Sequence, residues 1–314
     1  FYSGAVATLT SFAEKHGIPV TETIAGRSQM LHDHKLNAGP LGVIGSSSAN
    51  ALAAEADVVL AVGTRLQDFT TGSWSVFGNE SMQLIAINAA SFDAHKHRAL
   101  SVVGDAKVGL EDLSSALGNW AGSPAWIETA QGHYAEWNRT VDQHSGPSDA
   151  VPPSYGQVVG AINRSCDSTD LALTAAGGLP GELCKNWKTR SIGTFDCEFG
   201  FSCMGYEIAG GWGAKMADPS RDVIVFVGDG SYLMLNSDIY STVLTGHKMI
   251  VIVCDNGGFS VINRLQNFKG SASFNNLLKD CKVENLQGVD FVQHATSMGA
   301  LGEQVESIAE LEAA

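Results

Sequence analysis

The sequence predicts an α/β protein made of two Rossmann-like, doubly wound parallel-sheet domains joined by a linker. Three observations predict it. Short continuous Val/Ile/Leu runs at 57–62, 83–88, 222–227 and 249–253 end within two residues of Gly, Asp or Asn. Apolar runs without polar alternation suit strands covered on both faces of a parallel sheet. Stretches of helical length separate the runs, as crossovers between parallel strands require. Glycines such as Gly177, Gly178, Gly228 and Gly230 fall at the ends of apolar runs, where a strand must turn tightly into a helix.

In order along the chain, 5–16 reads as a helix and 18–23 as the extended segment after it. Residues 48–55 read as a second helix, 57–62 as a buried strand ending at Gly63, and Gln83–Asn88 as another. The alternation weakens after Leu117, which gives a first domain of 1–117. Residues 118–153 carry three tryptophans, the turn Gly146-Pro147-Ser148 and the pair Pro152-Pro153. They read as a linker with a helix at 126–141. The second domain, 154–314, opens with a helix at 155–163 and a short strand, Leu171–Thr174, that runs into Ala175-Ala176-Gly177-Gly178. A Gly- and Ala-rich helix follows at 207–216. The strand 222–227 leads to Gly228-Asp229-Gly230, then to a helix at 231–244 closed by Gly246. The strand 249–253 ends near Asp255-Asn256-Gly257-Gly258. The chain opens without methionine and closes inside a helical pattern at 306–314, so it is expected to be part of a longer polypeptide.

Composition narrows the function. The 314 residues suffice for two domains, and the hydrophobic fraction of 44% is that of a globular protein. A net charge of −14 argues against a nucleic-acid partner, which needs a basic face. It leaves room for a phosphorylated ligand, because a divalent metal supplies local positive charge. Six scattered cysteines without a CxxC pair suit a reduced, cytoplasmic setting. No apolar run approaches the roughly 20 residues of a membrane span, and none reads as a signal peptide, so no membrane partner is expected.

Two strand ends carry groups suited to a hard cation. One run delivers the carboxylate of Asp229 and the next the amide oxygen of Asn256, 27 positions on. One helix and one strand fill that interval, so both groups can converge on the carboxyl edge of one sheet, where open α/β sheets bind ligands. Magnesium takes six oxygens, often few from protein and the rest from phosphate and water. Gly230 and Ser231 open the following helix, so their N–H groups can meet a phosphate. Each motif alone is an ordinary tight turn; the spacing makes the pair informative.

Gly228-Asp229-Gly230 followed by an asparagine at this distance resembles the signature of thiamine-diphosphate-dependent enzymes such as pyruvate decarboxylase and acetohydroxyacid synthase. The resemblance implies thiamine diphosphate and Mg2+ as cofactors, with Asp229, Asn256 and the carbonyl of Gly258 as metal ligands. Asp255 departs mildly from the family's Asn-Asn. The segment 201–206 resembles the stretch whose bulky apolar residue, here Met204, props the cofactor in its bent conformation; Ser202 stands where the family often has glycine. Gly177-Gly178 resembles the first diphosphate loop, and Gly230, Ser231, Asn256, Gly258 and Phe259 complete the implied cofactor contacts. Gly42-Val43-Ile44-Gly45 and 56–66 resemble the family's central domain, which binds FAD in acetohydroxyacid synthase. No dinucleotide fingerprint is present, so no flavin is expected.

The family's activating glutamate lies on an amino-terminal pyrimidine-binding domain of a neighbouring subunit. No residue here matches it. The resemblance therefore implies a second subunit as partner, in a homodimer or homotetramer, and an inactive 1–314 on its own. The segments 198–207 and 254–266 are similar to the members that hydrolyse a C–C bond of a polyhydroxylated cyclic 1,2-dione in myo-inositol breakdown. An acetolactate-synthase-like carboligase or decarboxylase and a non-catalytic diphosphate binder are the alternatives. Asn263 and Arg264, just past the metal loop, are candidates to face substrate hydroxyls, or else begin an ordinary helix. The pairs His32/His34 and His95/His97, with Asp93, lack a third metal ligand nearby and read as solvated loop residues.

Overall fold

The computed structural model describes residues 1–284 and 288–314. The chain divides into two compact units, one of 1–143 with 188–192, the other of 144–187 with 193–314. Both are α/β, with parallel strands and helical crossovers.

The first unit holds a parallel pair, β1 (Val20–Glu22) with β2 (Asn37–Pro40), and a three-stranded parallel sheet of β3 (Val58–Val62), β4 (Gln83–Asn88) and β5 (Leu100–Val103) in the order β3-β4-β5. The helices Val6–His16 and Ala106–Leu117 cover this sheet, with Phe12, Ile87 and Leu110 as their shared core. Pro124–Ser145 is one 22-residue helix. Its part up to Gln143 belongs to this unit and not to a free linker, because it has an apolar face to bury: Trp126 and Ala130 pack on Ala38 and Leu52. The Tyr134 hydroxyl also donates to the His32 carbonyl at 2.9 Å.

The second unit is built on four parallel strands: β6 (Leu171–Thr174), β7 (Phe195–Cys197), β8 (Val223–Gly228) and β9 (Ile250–Cys254), in the order β7-β6-β8-β9. Leu173, Val223, Val225 and Val227 form its core with Ile208 of the helix Tyr206–Ala217 and with Tyr232 and Ile239. The order explains where a ligand can enter. From β6 the chain moves outward to β7, and from β8 it moves outward the other way to β9. With right-handed crossovers, the rule for parallel strands, the helices after β6 and after β8 leave on opposite faces. A crevice therefore opens at the carboxyl ends of β6 and β8.

The helix expected over 231–244 is two helices, Asp229–Met234 and Asp238–Thr245. Asn236 turns its side-chain amide back to the Tyr232 carbonyl at 3.1 Å, and its own carbonyl accepts from Ile239 N at 3.1 Å. Asn competes with the helix by such local bonds, and here Asn236 interrupts it before the next helix begins. The closing Gly246 is left-handed, as expected (φ 69°).

Candidate functional site

The site assembles at the carboxyl ends of β6, β8 and β9. Gly228 pairs in register with Cys254, so β8 and β9 end side by side and hand over to Asp229 and to the Asp255–Phe259 loop. Asp229 is 4% exposed. Its Oδ2 accepts from Gly258 N at 2.7 Å, which ties the two strand ends together. Its Oδ1 is buried with no hydrogen-bond partner among the described residues. Burial pushes the carboxyl above the ordinary Asp range, the Asp255 charge adds to this, and the Gly258 N–H opposes it. A buried acceptor left over on a carboxylate beside a second carboxylate is the environment a cation relieves.

The neighbouring loop fits the same cation. Asn256 donates its amide N–H to the Tyr155 hydroxyl, which leaves the amide oxygen available. Burial raises the Tyr155 pKa, so the phenol stays protonated at neutral pH. The backbone around Gly258 is held by Phe259 N on Asn276 O at 2.7 Å and Leu278 N on Gly257 O at 2.8 Å. Gly258 has φ 131°, and a β-carbon on it would lie 2.5 Å from Asn276 O, so only glycine fits. Gly230 is excluded from growth differently: its β-carbon would meet the Phe259 ring at 2.6 Å. The residues present thus fit a hard divalent ion with Asp229, Asn256 and the Gly258 carbonyl as donors. Among the described residues no group of three or more His, Cys, Asp or Glu is arranged to hold a metal. An oxygen set made from one carboxylate, one amide and one carbonyl is not of that kind.

The other sequence candidates fall as follows. Gly177 is left-handed (φ 83°) with open space around its Cα, and Gly178 begins the helix Leu179–Asn186. A β-carbon on Gly178 would lie 3.2 Å from the Tyr155 ring and 3.3 Å from the Arg264 guanidinium, so Arg264 reaches this loop. Asn263 is buried, and its Oδ1 has no partner among the described residues. Ser202 has φ 53°, the left-handed conformation that the family's glycine would adopt freely. Met204 is 36% exposed, so it is not a core methionine. The Ser231 side chain is used internally, donating to Glu207 Oε2 at 2.7 Å and accepting from Gly205 N at 2.8 Å.

The histidines of the two pairs contact protein groups, and His95 Nδ1 lies 2.8 Å from the Ser91 carbonyl. His32 Nδ1 is 3.0 Å from the Thr189 carbonyl, His34 Nε2 is 3.3 Å from Glu14, and His97 stacks on Trp74. Asp93 pairs with Lys96 at 2.6 Å. Two residues escaped the sequence reading. Tyr155 carried no signal, since it is 101 positions from Asn256. Glu207 did carry one: it is a carboxylate in the first turn of an otherwise Gly- and Ala-rich helix.

Residues 1–113 match the family model for the central domain of thiamine pyrophosphate enzymes, and 175–314 match that for their C-terminal TPP-binding domain. The chain is 36% identical to a 3D-(3,5/4)-trihydroxycyclohexane-1,2-dione hydrolase of Geobacillus thermodenitrificans. It is 34% identical to one of Clostridium tetani and 35% to one of Bacillus anthracis. These alignments cover 99–100% of this chain and 53% of each relative, so the chain spans about half the length of the curated relatives it matches. No described helix is long and apolar enough to cross a membrane. With two of the family's domains matched in order, and the loops that distinguish its cofactor domain in register at the sheet edge, the chain belongs to the thiamine pyrophosphate enzymes.

Proposed function

We propose that this chain holds the diphosphate of thiamine diphosphate and one Mg2+ at the carboxyl ends of β6, β8 and β9, and that the protein opens a polyhydroxylated cyclic 1,2-dione by hydrolysis of a C–C bond, as in myo-inositol breakdown. The observation that carries the reading is the buried Oδ1 of Asp229, without a hydrogen-bond partner among the described residues, on a carboxylate already tied to the Asn256–Gly258 loop. The relatives, named as hydrolases of a trihydroxycyclohexane-1,2-dione, support the substrate class.

In this reading Asp229, Asn256 and the Gly258 carbonyl hold the metal. The first N–H groups of the helix Asp229–Met234, at Gly230 and Ser231, face the diphosphate. Gly177 and Gly178 close the opposite side without side chains, and Met204 and Phe259 supply apolar contacts. Thiamine diphosphate, when bound, would supply a nucleophilic carbon and an electron sink for cleavage beside a carbonyl. Water completes the hydrolysis, so the site must admit water and exclude a second carbonyl substrate. Arg264, beside Gly178 and Tyr155, offers its fork of N–H donors to ring hydroxyls. Asn263 is the weaker substrate candidate because its side chain is buried.

The activating glutamate is proposed to come from outside 1–314, on a pyrimidine-binding domain of a second subunit. Exposed Phe201, Met204, Leu235, Phe259 and Leu265 support such a covering partner, since apolar groups gathered near a site invite one. Six free cysteines support a cytoplasmic setting. The test is turnover by the full-length polypeptide with Mg2+ and thiamine diphosphate, on the cyclic dione and separately on pyruvate. Ring opening without acetolactate is expected. Acetolactate from pyruvate with no ring opening would make the protein a carboligase. Binding without either reaction would leave it a diphosphate binder.

A further inference from the structure

Glu207 is fully buried, yet it lies in the first turn of a helix made mostly of Gly, Ala and apolar residues. A buried carboxylate is costly unless donors surround it. Its two oxygens collect them from three separate places. Oε1 accepts from Ala176 N at 3.1 Å, in the loop after β6. Oε2 accepts from Gly205 N at 3.0 Å, beside Met204, and from the Ser231 hydroxyl at 2.7 Å, in the first turn after β8. Gly205 N is also 2.8 Å from Ser231 Oγ, which closes the network. The start of its own helix adds a favourable dipole for the negative charge.

These three places are the elements that border the crevice between β6 and β8. We propose that Glu207 is a positioning residue that fixes the first diphosphate loop, the Met204 segment and the metal-bearing helix against one another; this rests on the thiamine-diphosphate reading of the site. The carboxylate suits this because it accepts on both oxygens and donates on neither. Glutamine has the same size but one acceptor oxygen. If that oxygen keeps Gly205 and Ser231, its NH2 faces the N–H of Ala176. Donor then meets donor, and the loop 175–178 must move. Ser231→Ala removes one of the three links and leaves the backbone N–H of residue 231 in place.

The test compares unaltered full-length protein, Glu207→Gln and Ser231→Ala by calorimetric titration with thiamine diphosphate at saturating Mg2+, together with unfolding curves of the cofactor-free proteins. Titrations are run well below each melting temperature. The expected result is at least a tenfold loss of affinity for Glu207→Gln and a smaller loss, about threefold or more, for Ser231→Ala, with both proteins folded. A lower melting temperature with unchanged affinity would show a merely structural role and overturn the proposal. If Glu207→Gln does not fold, unchanged affinity in Ser231→Ala overturns it. If the unaltered protein binds no thiamine diphosphate, the reading of the site fails and the proposal with it.

Discussion

Replacing Asp229 by asparagine separates the fold from the metal site. The side chain keeps its shape, and its oxygen can still accept from Gly258 N, now 2.7 Å from Oδ2. What disappears is a charge that the fold does not welcome. The residue is 4% exposed, burial raises its pKa, and Asp255 raises it further. A charge disfavoured in the folded state subtracts stability wherever it is ionised, so near neutral pH Asp229→Asn should leave the cofactor-free protein at least as stable as before. The metal loses its only carboxylate in the proposed set. Removing one member of a buried charge pair typically costs about 2–5 kcal/mol, which is a loss of roughly 30- to 4,000-fold in Mg2+-dependent affinity. Thermal unfolding without ligand and calorimetric titration of thiamine diphosphate against Mg2+ measure the two effects. An unchanged Mg2+ requirement, or a large loss of stability with normal binding, would refute the reasoning.

Three further outcomes follow from particular contacts. Gly230→Ala puts a β-carbon 2.6 Å from the Phe259 ring, so overpacking should cost about 1–3 kcal/mol in an unfolding curve, and a turned ring should weaken cofactor binding. Glu22 is buried against Arg27 and accepts from Gln29 N at 2.8 Å and Met30 N at 3.0 Å. Glu22→Ala should destabilise the first unit by about 3–5 kcal/mol in denaturant titration. Some burial raises the pKa of Glu198, but bonds from Cys203 N and Phe201 N outweigh it and hold its pKa below the usual Glu value. Its contribution is therefore present above the unfolded Glu pKa of about 4.3 and is lost as pH falls through the lowered folded value. Glu198→Gln should flatten that acid limb in a pH series of unfolding curves; an identical acid limb in both proteins would count against the role.

The parts of this site that could be read in the sequence are those fixed by local order. Asp229 and Asn256 follow adjacent parallel strands, so one interval of chain brings them to one edge. The buried runs of β4, β6 and β8 were legible for the same reason: their pattern is set by neighbours within a few residues. The strand β2, Asn37–Pro40, carries no such pattern, although every position in it is buried. The break at 235–237 was missed because periodicity continues across it, while Asn236 bonds backward and interrupts the helix. Tyr155 acts through a partner 101 positions away, and two of the three partners of Glu207, Ser231 and Ala176, lie 24 and 31 positions away, so only tertiary contact shows what these side chains hold. Asn263 shows the opposite case, since its neighbour Arg264 reaches the Gly178 loop while its own side chain is buried.

The most direct test of the metal and cofactor assignment is a crystal structure of the full-length protein grown with thiamine diphosphate and Mn2+ in place of Mg2+, with anomalous data collected at the manganese edge. One strong anomalous peak is expected within metal–oxygen bonding distance, about 2.1–2.2 Å, of Asp229 Oδ1, the Asn256 amide oxygen and the Gly258 carbonyl. Two diphosphate oxygens, beside the N–H groups of Gly230 and Ser231, and one water should complete the six-oxygen shell. A manganese peak elsewhere, or a diphosphate seated away from the ends of β6 and β8, would contradict it.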